Sequence, residues 1–252
     1  MIATIALREL RSLFLSPLAW TILAVLTFIL AYVFLVQIQV FVDYQGRLAG
    51  LDSSPGVTEV VAAPLFEFAA VLMLLVAPLL THRSIAGERR AGTLTLLQAA
   101  PVTAAEIVLG KFLALIGFFA VLTLIVASMP LSLAAGTGLD WRHLAACVLT
   151  LLLLLAAFSA IGLFISALVE EPLIAAVMTF GALLLLKILD WASSAGAAEG
   201  SGALFRYVSM SGHYQPMLGG RFSSADALYF VIGTALFLAL AAWRLDSDRL
   251  QR

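Results

Sequence analysis

The chain has 252 residues, 63% of them hydrophobic and only 12% charged, with a formal net charge of −1. Soluble domains run nearer half apolar and a quarter charged, so this composition excludes a soluble globular domain and points to an integral membrane protein. A single cysteine, Cys147, excludes an intrachain disulfide and a thiolate metal cluster.

On a helical wheel, residues 1–15 place Thr4, Arg8, Arg11 and Ser12 on one face and Ile2, Ala6, Leu10, Leu13 and Phe14 on the other; Glu9 is out of pattern. That is the signature of an interfacial helix lying along a leaflet. No small-x-small cleavage site follows, so the first apolar run reads as an uncleaved span rather than a signal peptide. Crossing the hydrocarbon takes ~20 mainly apolar residues. Six segments qualify: about 17–42, 60–81, 104–133, 141–169, 172–191 and 225–243. The first is entered through Ser16 with proline at the first helical position. The third follows Thr103-x-x-Glu106 and the sixth Ser223-x-x-Asp226, both with capping-box spacing. A Ser/Gly/Ala-rich segment after Trp191 stops the fifth. The expected fold is an all-α membrane protein with six transmembrane helices and an N-terminal interfacial helix.

A polar island, residues 82–103, separates the second and third spans. Within it Glu88 to Gln98 fits a helix against the membrane surface: Glu-Arg-Arg at its start, Leu94, Leu96 and Leu97 later, and Pro101 to break it. Six spans put both termini on one side, and the positive-inside rule assigns that side. Arg8, Arg11, Arg83, Arg89, Arg90, Lys111, Arg244, Arg249 and Arg252 share it, against Arg47, Arg142, Arg206 and Arg221 opposite. The termini are therefore expected in the cytoplasm, with loops 43–59 and 190–224 outside.

Motifs for chemistry are missing. Gly110-Lys111 lacks the upstream glycine and following hydroxyl of a phosphate loop, so the chain does not hydrolyse ATP in that way. There is no HExxH helix and no GxSxG elbow, and His82, His143 and His213 fall in three separate polar regions. His143 and Cys147 share a helix face at i, i+4, but without further ligands nearby they read as a boundary histidine and a small core residue. No catalytic, metal-ligating or cofactor-binding residue is expected. Two charges, Glu67 and Lys187, stand inside spans, where an ionisable group marks a path or an interface by default. Both are shallow, and Lys187 can snorkel outward and pair with Asp190 at i+3. The midplane holds no charge, which argues against a proton relay. Before the last span, Arg206, Tyr207, Tyr214, Met217, Arg221 and Phe222 gather as in a re-entrant or interfacial element that closes an outer mouth.

Residues 88–112, Glu-Arg-Arg-Ala-Gly-Thr-Leu-Thr-Leu-Leu-Gln-Ala-Ala-Pro-Val-Thr-Ala-Ala-Glu-Ile-Val-Leu-Gly-Lys-Phe, resemble the cytoplasmic loop of ABC-2-type transporter permeases, most closely the gliding-motility-type branch. Ser209 to Arg221, followed by Asp226 and Tyr229-Phe230, resembles that branch's final outer segment, and Ile165-Ser166-Ala167-Leu168 with Ala175-Ala176 its turn between spans four and five. Two departures stand out: Gly87-Glu88 where the family commonly has paired acids, and Glu170-Glu171-Pro172 where it has a polar amide. The resemblance implies one ABC-2-type transmembrane domain over residues 1–252. It implies a permease subunit that pairs with a second one, identical or related, and with separate ATPase subunits that carry the ATP, to drive export or a mechanical task across a bacterial cytoplasmic membrane. Glu88 to Gln98 would be the coupling helix, with Glu88, Arg89, Arg90, Thr93, Leu94 and Leu97 as coupling residues, and spans one, two and five would line the subunit interface. Membrane lipid and an extracytoplasmic auxiliary protein are the further partners implied; nucleic acid is not. Two other classes compete. An intramembrane enzyme would act on a lipid-linked substrate through His213, Tyr214 and Arg221, and a secondary transporter would need discontinuous helices with midplane polar groups.

Overall fold

The structure, a computed structural model, describes residues 1–48, 56–93, 102–194 and 209–250, and among these it contains no strand. Helix α1 (Ile2–Leu15) is separated from α2 (Pro17–Leu48) by Ser16 alone, whose extended backbone is what a residue before proline favours. A π-helical turn, Thr58–Ala62, leads into α3 (Ala63–Thr81), and the short α4 (Ala86–Arg90) follows. Then come α5 (Ala104–Leu131), α6 (Trp141–Leu168), α7 (Pro172–Ser194), a nine-residue α8 (Met210–Leu218) and α9 (Ser224–Leu250). Helices α2, α3 with its π turn, α5, α6, α7 and α9 are the six long and apolar enough to cross a membrane.

Six such helices lie where spans were expected, and three of them run on past the expected ends, α7 by three residues to Ser194. Helix α2 runs to Leu48 and α9 to Leu250, past the ends expected at Val42 and Trp243. Hydropathy marks where a chain leaves hydrocarbon, whereas a helix ends where its backbone bonding ends. In α9 the polar continuation is supported by an i, i+4 ion pair, Arg244 to Asp248 at 3.0 Å. The Thr103 capping box forms: Glu106 N donates to Thr103 Oγ1 at 3.2 Å and Thr103 N to Glu106 Oε2 at 2.9 Å. The Ser223 box does not. Ser223 Oγ accepts from Ala225 N at 3.3 Å, but the Asp226 carboxylate is taken by His213 at 2.6 Å.

Helix α6 is the centre of the bundle: it is the most deeply buried of the six, while α2, α7 and α9 are the least. Its small residues allow close approach. Gly162 faces Thr81 of α3 so closely that a Cβ there would lie 2.3 Å from Thr81 Oγ1. Three buried hydroxyls are satisfied within their own helices, Thr81 donating to Ala77 O at 2.9 Å, Thr150 to Ala146 O at 2.6 Å and Ser159 to Leu155 O at 2.7 Å, the backbone acceptor that an apolar surrounding favours.

Helix α1 packs lengthwise on α5. Ile5 seats against Gly110 and Leu10 against Gly117, while the Phe14 and Phe118 rings lie 5.5 Å apart. Part of its amphipathic pattern therefore serves a protein contact, while Leu7 and Leu15 remain exposed at 67% and 76%. Trp20 Nε1 donates to Phe14 O at 2.7 Å and pins the corner between α1 and α2.

Candidate functional site

The polar island sits at the end of the bundle that carries both termini, and α6 organises it. Ser166, in the last turn of α6, accepts from Ile85 N at 3.2 Å and Ala86 N at 3.0 Å, and lies 3.2 Å from His82 O, to which it donates. Ile85 and Ala86 are fully buried. Helix α4 has no side-chain cap of its own. A hydroxyl from another helix therefore satisfies N–H groups that a helix start leaves open.

Beyond that clasp, α4 is tethered by charge. Glu88 Oε1 lies 2.7 Å from Lys111 Nζ of α5, which also reaches Glu9 Oε1 of α1 at 3.2 Å. Arg8 pairs with Glu9 at 2.8 Å and approaches Glu88 at 3.7 Å. The Lys111 side chain is only 2% exposed. Burial pushes the Glu9 carboxyl up, but Lys111 and Arg8 together pull it down further, leaving it below its ordinary value. Arg89 pairs with Asp248 of α9, whose other oxygen binds Arg244. Arg90 pairs with Glu171 at 2.5 Å and remains 64% exposed. Gly92 takes a positive φ of 70°, and Thr93 Oγ1 donates back to Glu88 O at 3.3 Å. Residues 90–93 are exposed. Leu94, Leu96, Leu97 and Gln98 lie outside the described residues.

This network was only partly visible in the sequence. Glu67 and Lys187 were the charges singled out inside spans, yet both are exposed, and the buried one is Lys111. Its signal was the out-of-pattern Glu9: a carboxylate beside an apolar face needs a cation facing it. Ser166 stood in a quoted motif without a role, and Asp248 carried no signal.

At the opposite end α8 gathers most of the remaining candidates. Ser209 caps it by accepting from Gly212 N at 3.1 Å. Tyr214 is buried and donates to Phe66 O of α3 at 2.9 Å; Gln215 Nε2 donates to Glu67 Oε1 at 2.6 Å; Lys187 Nζ donates to Ser211 Oγ at 3.1 Å. His213 Nδ1 lies 2.6 Å from Asp226 Oδ1, and its ring stacks on Tyr229 at 4.2 Å. His143 Nε2 donates to Leu218 O at 2.5 Å, and Cys147 Sγ approaches the same carbonyl at 3.7 Å. The pair at i, i+4 thus holds the end of α8. Arg221 is exposed in the link to α9. Arg206, Tyr207 and the Asp190 side chain lie outside the described residues.

A family model described as ABC-2 family transporter protein matches residues 3–250. The chain belongs to this family. It is also 31% identical over 208 residues to the Probable ABC transporter permease protein NosY of Pseudomonas aeruginosa, an alignment covering 72% of this chain and 74% of that protein. Membership makes the chain a multi-pass membrane protein and a permease of an ABC transporter, not itself an enzyme, and permeases of this family work with ATPase subunits.

Proposed function

We propose that this chain is one of two permease subunits, identical or related, driven by separate ATPase subunits that bind ATP on the cytoplasmic side, for export or a mechanical task. We assign it to the gliding-motility-type branch, in a bacterial cytoplasmic membrane with both termini inside. The observation that supports this reading best is the mounting of α4, a short helix held to α1, α5, α6 and α9 by Ser166, Lys111 and Asp248. Within that reading Glu88 and Arg89 tether the coupling element to the spans. Arg90 to Thr93 supply its exposed docking face. Around α8, the exposed Arg221 and the half-buried His213 belong to the outer surface, where an auxiliary protein would dock, while the buried Tyr214 holds α8 to α3 beneath it.

Tagged chain purified from its native membranes is expected to bring ATP hydrolysis with it. Arg90→Glu combined with Thr93→Asp should lower that co-purifying activity about tenfold, as loss of a charge-assisted contact does, without lowering the amount of chain in the membrane. Recovery of the chain without any ATPase would overturn the proposal. Orientation has its own check. In a Cys147→Ala background, cysteines at Gly138 and Phe222 should react with an impermeant thiol reagent in intact cells while one at Thr93 should not; the reverse pattern would invert the topology.

A further inference from the structure

At the end of the bundle that carries the termini, most of the described arginines and lysines are ion-paired. Arg8 and Lys111 meet Glu9 and Glu88, Arg89 and Arg244 meet Asp248, and Arg90 meets Glu171. Arg11 and Arg83 are the exceptions: both are exposed, and among the described residues neither has an ion-pair or hydrogen-bond partner. These two unopposed cations meet at Ser12. Arg83 and Ser12 line one pocket of about 220 Å³ between α1, the start of α2 and the end of α3. Arg11 lines an adjoining groove that shares Ser12 with Leu7 and Leu15.

The pocket offers donors without acceptors. Ser12, Ser16 and Ser84 line it, and among the described residues none of their hydroxyls is hydrogen-bonded. Its carboxylate, Glu9, is held by Lys111 at 3.2 Å and by Arg8 at 2.8 Å. A water needs ~30 Å³, so the space takes a phosphate group and leaves an acyl chain outside. The depth is that of lipid headgroups. Trp20 stands exposed at the corner between α1 and α2, with its indole N–H on Phe14 O, and tryptophan is favoured at that level. Leu18 and Leu79, also in the lining, are exposed and give acyl chains an apolar path from the mouth into hydrocarbon.

We propose that this pocket binds an anionic phospholipid of the leaflet on the termini side, its phosphate held by Arg83 and the serine hydroxyls, with Arg11 adding charge at the rim. A guanidinium meets a phosphate through a bidentate fork, and basic pockets beside spans hold anionic headgroups. The oxygens of a phosphodiester accept and do not donate, so the hydroxyls turn their hydrogens towards it. Phosphatidylglycerol brings the phosphate charge alone. Phosphatidylethanolamine and phosphatidylcholine bring a cation as well, which two unopposed arginines repel and which the doubly paired Glu9 is not free to receive.

The test uses purified full-length chain exchanged into micelles holding equal amounts of dioleoyl phosphatidylglycerol, phosphatidylethanolamine and phosphatidylcholine, with retained lipid read by native mass spectrometry. Wild type should retain phosphatidylglycerol about tenfold over each of the others, the factor expected from one charged hydrogen bond. Arg83→Gln should bring the three lipids to parity, whereas Arg142→Gln, at an exposed arginine of the opposite end, should keep the preference. Ser12→Leu with Ser16→Leu fills the pocket while both arginines stay, and should also remove the preference. Excess glycerol 3-phosphate, which lacks the chains, should leave the lipid bound. Equal retention by wild type overturns the proposal, as does a full preference in Arg83→Gln or in the double serine variant, or its loss in Arg142→Gln. Displacement by glycerol 3-phosphate would make this a site for soluble phosphates and overturn the lipid assignment. No ATPase takes part, so each of these failures would leave the permease reading standing.

Discussion

Replacing Lys111 with methionine should destabilise the protein by about 3–5 kcal/mol, the usual effect of removing one partner from a buried ion pair, measured as a shift in chemical or thermal unfolding of the purified chain. The Lys111 ammonium contacts both Glu9 and Glu88, and the remaining cation, Arg8, is 57% exposed. Without Lys111 the two carboxylates face each other across a site where the second oxygen of Glu88 is buried and already lacks a hydrogen-bond partner. Methionine fills the space but carries no charge. The triple variant Lys111→Met, Glu9→Gln, Glu88→Gln removes the imbalance and should recover most of the loss. Wild-type unfolding in the single variant would show that Lys111 is not the hub of the cluster. The depressed Glu9 value gives a second handle. Its contribution is complete above the ordinary carboxylate range and is lost as pH falls through the lowered folded value. Docking of α1 on α5 should therefore loosen only at acid pH, in wild type and not in Glu9→Gln, as read by proteolysis after residue 15.

Gly162→Ala is expected to cost about 1–3 kcal/mol, the range for overpacking a well-filled contact. The added methyl would stand 2.3 Å from Thr81 Oγ1, 2.6 Å from its Cβ and 2.8 Å from its Cγ2. Either α3 and α6 separate, or Thr81 moves and carries the following His82 to Ser84 turn with it. Thr81→Gly removes all three clashing atoms and should rescue the variant; Thr81→Ser keeps two of them and should not. Equal unfolding of Gly162→Ala and wild type would mean that the helices do not approach this closely. Because the same turn feeds α4 through Ser166, the variant should also weaken co-purification of the ATPase.

The elements were legible where a local rule decides them. A run of apolar residues is a span whatever its neighbours do, and a threonine three residues before a glutamate caps a helix when nothing competes for the acid. At Ser223 something did compete. His213, thirteen residues away, takes Asp226, and no local spacing rule anticipates that. The candidate site was legible as a segment but not as a set of contacts. Glu88 meets Lys111 through α5, Arg89 meets Asp248 at a sequence separation of 159, and Ser166 meets Ala86 at 80. Such pairs depend on how helices are arranged around α6, which hydropathy leaves open. Lys111 shows the limit most clearly: with one charge in an apolar run, the sequence alone reads it as a residue near the cytoplasmic edge.

A body attached to one neighbour pivots about it, whereas a body attached to several can travel only in their company. Helix α4 is of the second kind, since its backbone hangs from α6 and its side chains from α5 and α9. A push on its exposed tip is therefore divided among helices drawn from the beginning, middle and end of the chain. The bundle should respond by tilting as a block, with little bending in any single span.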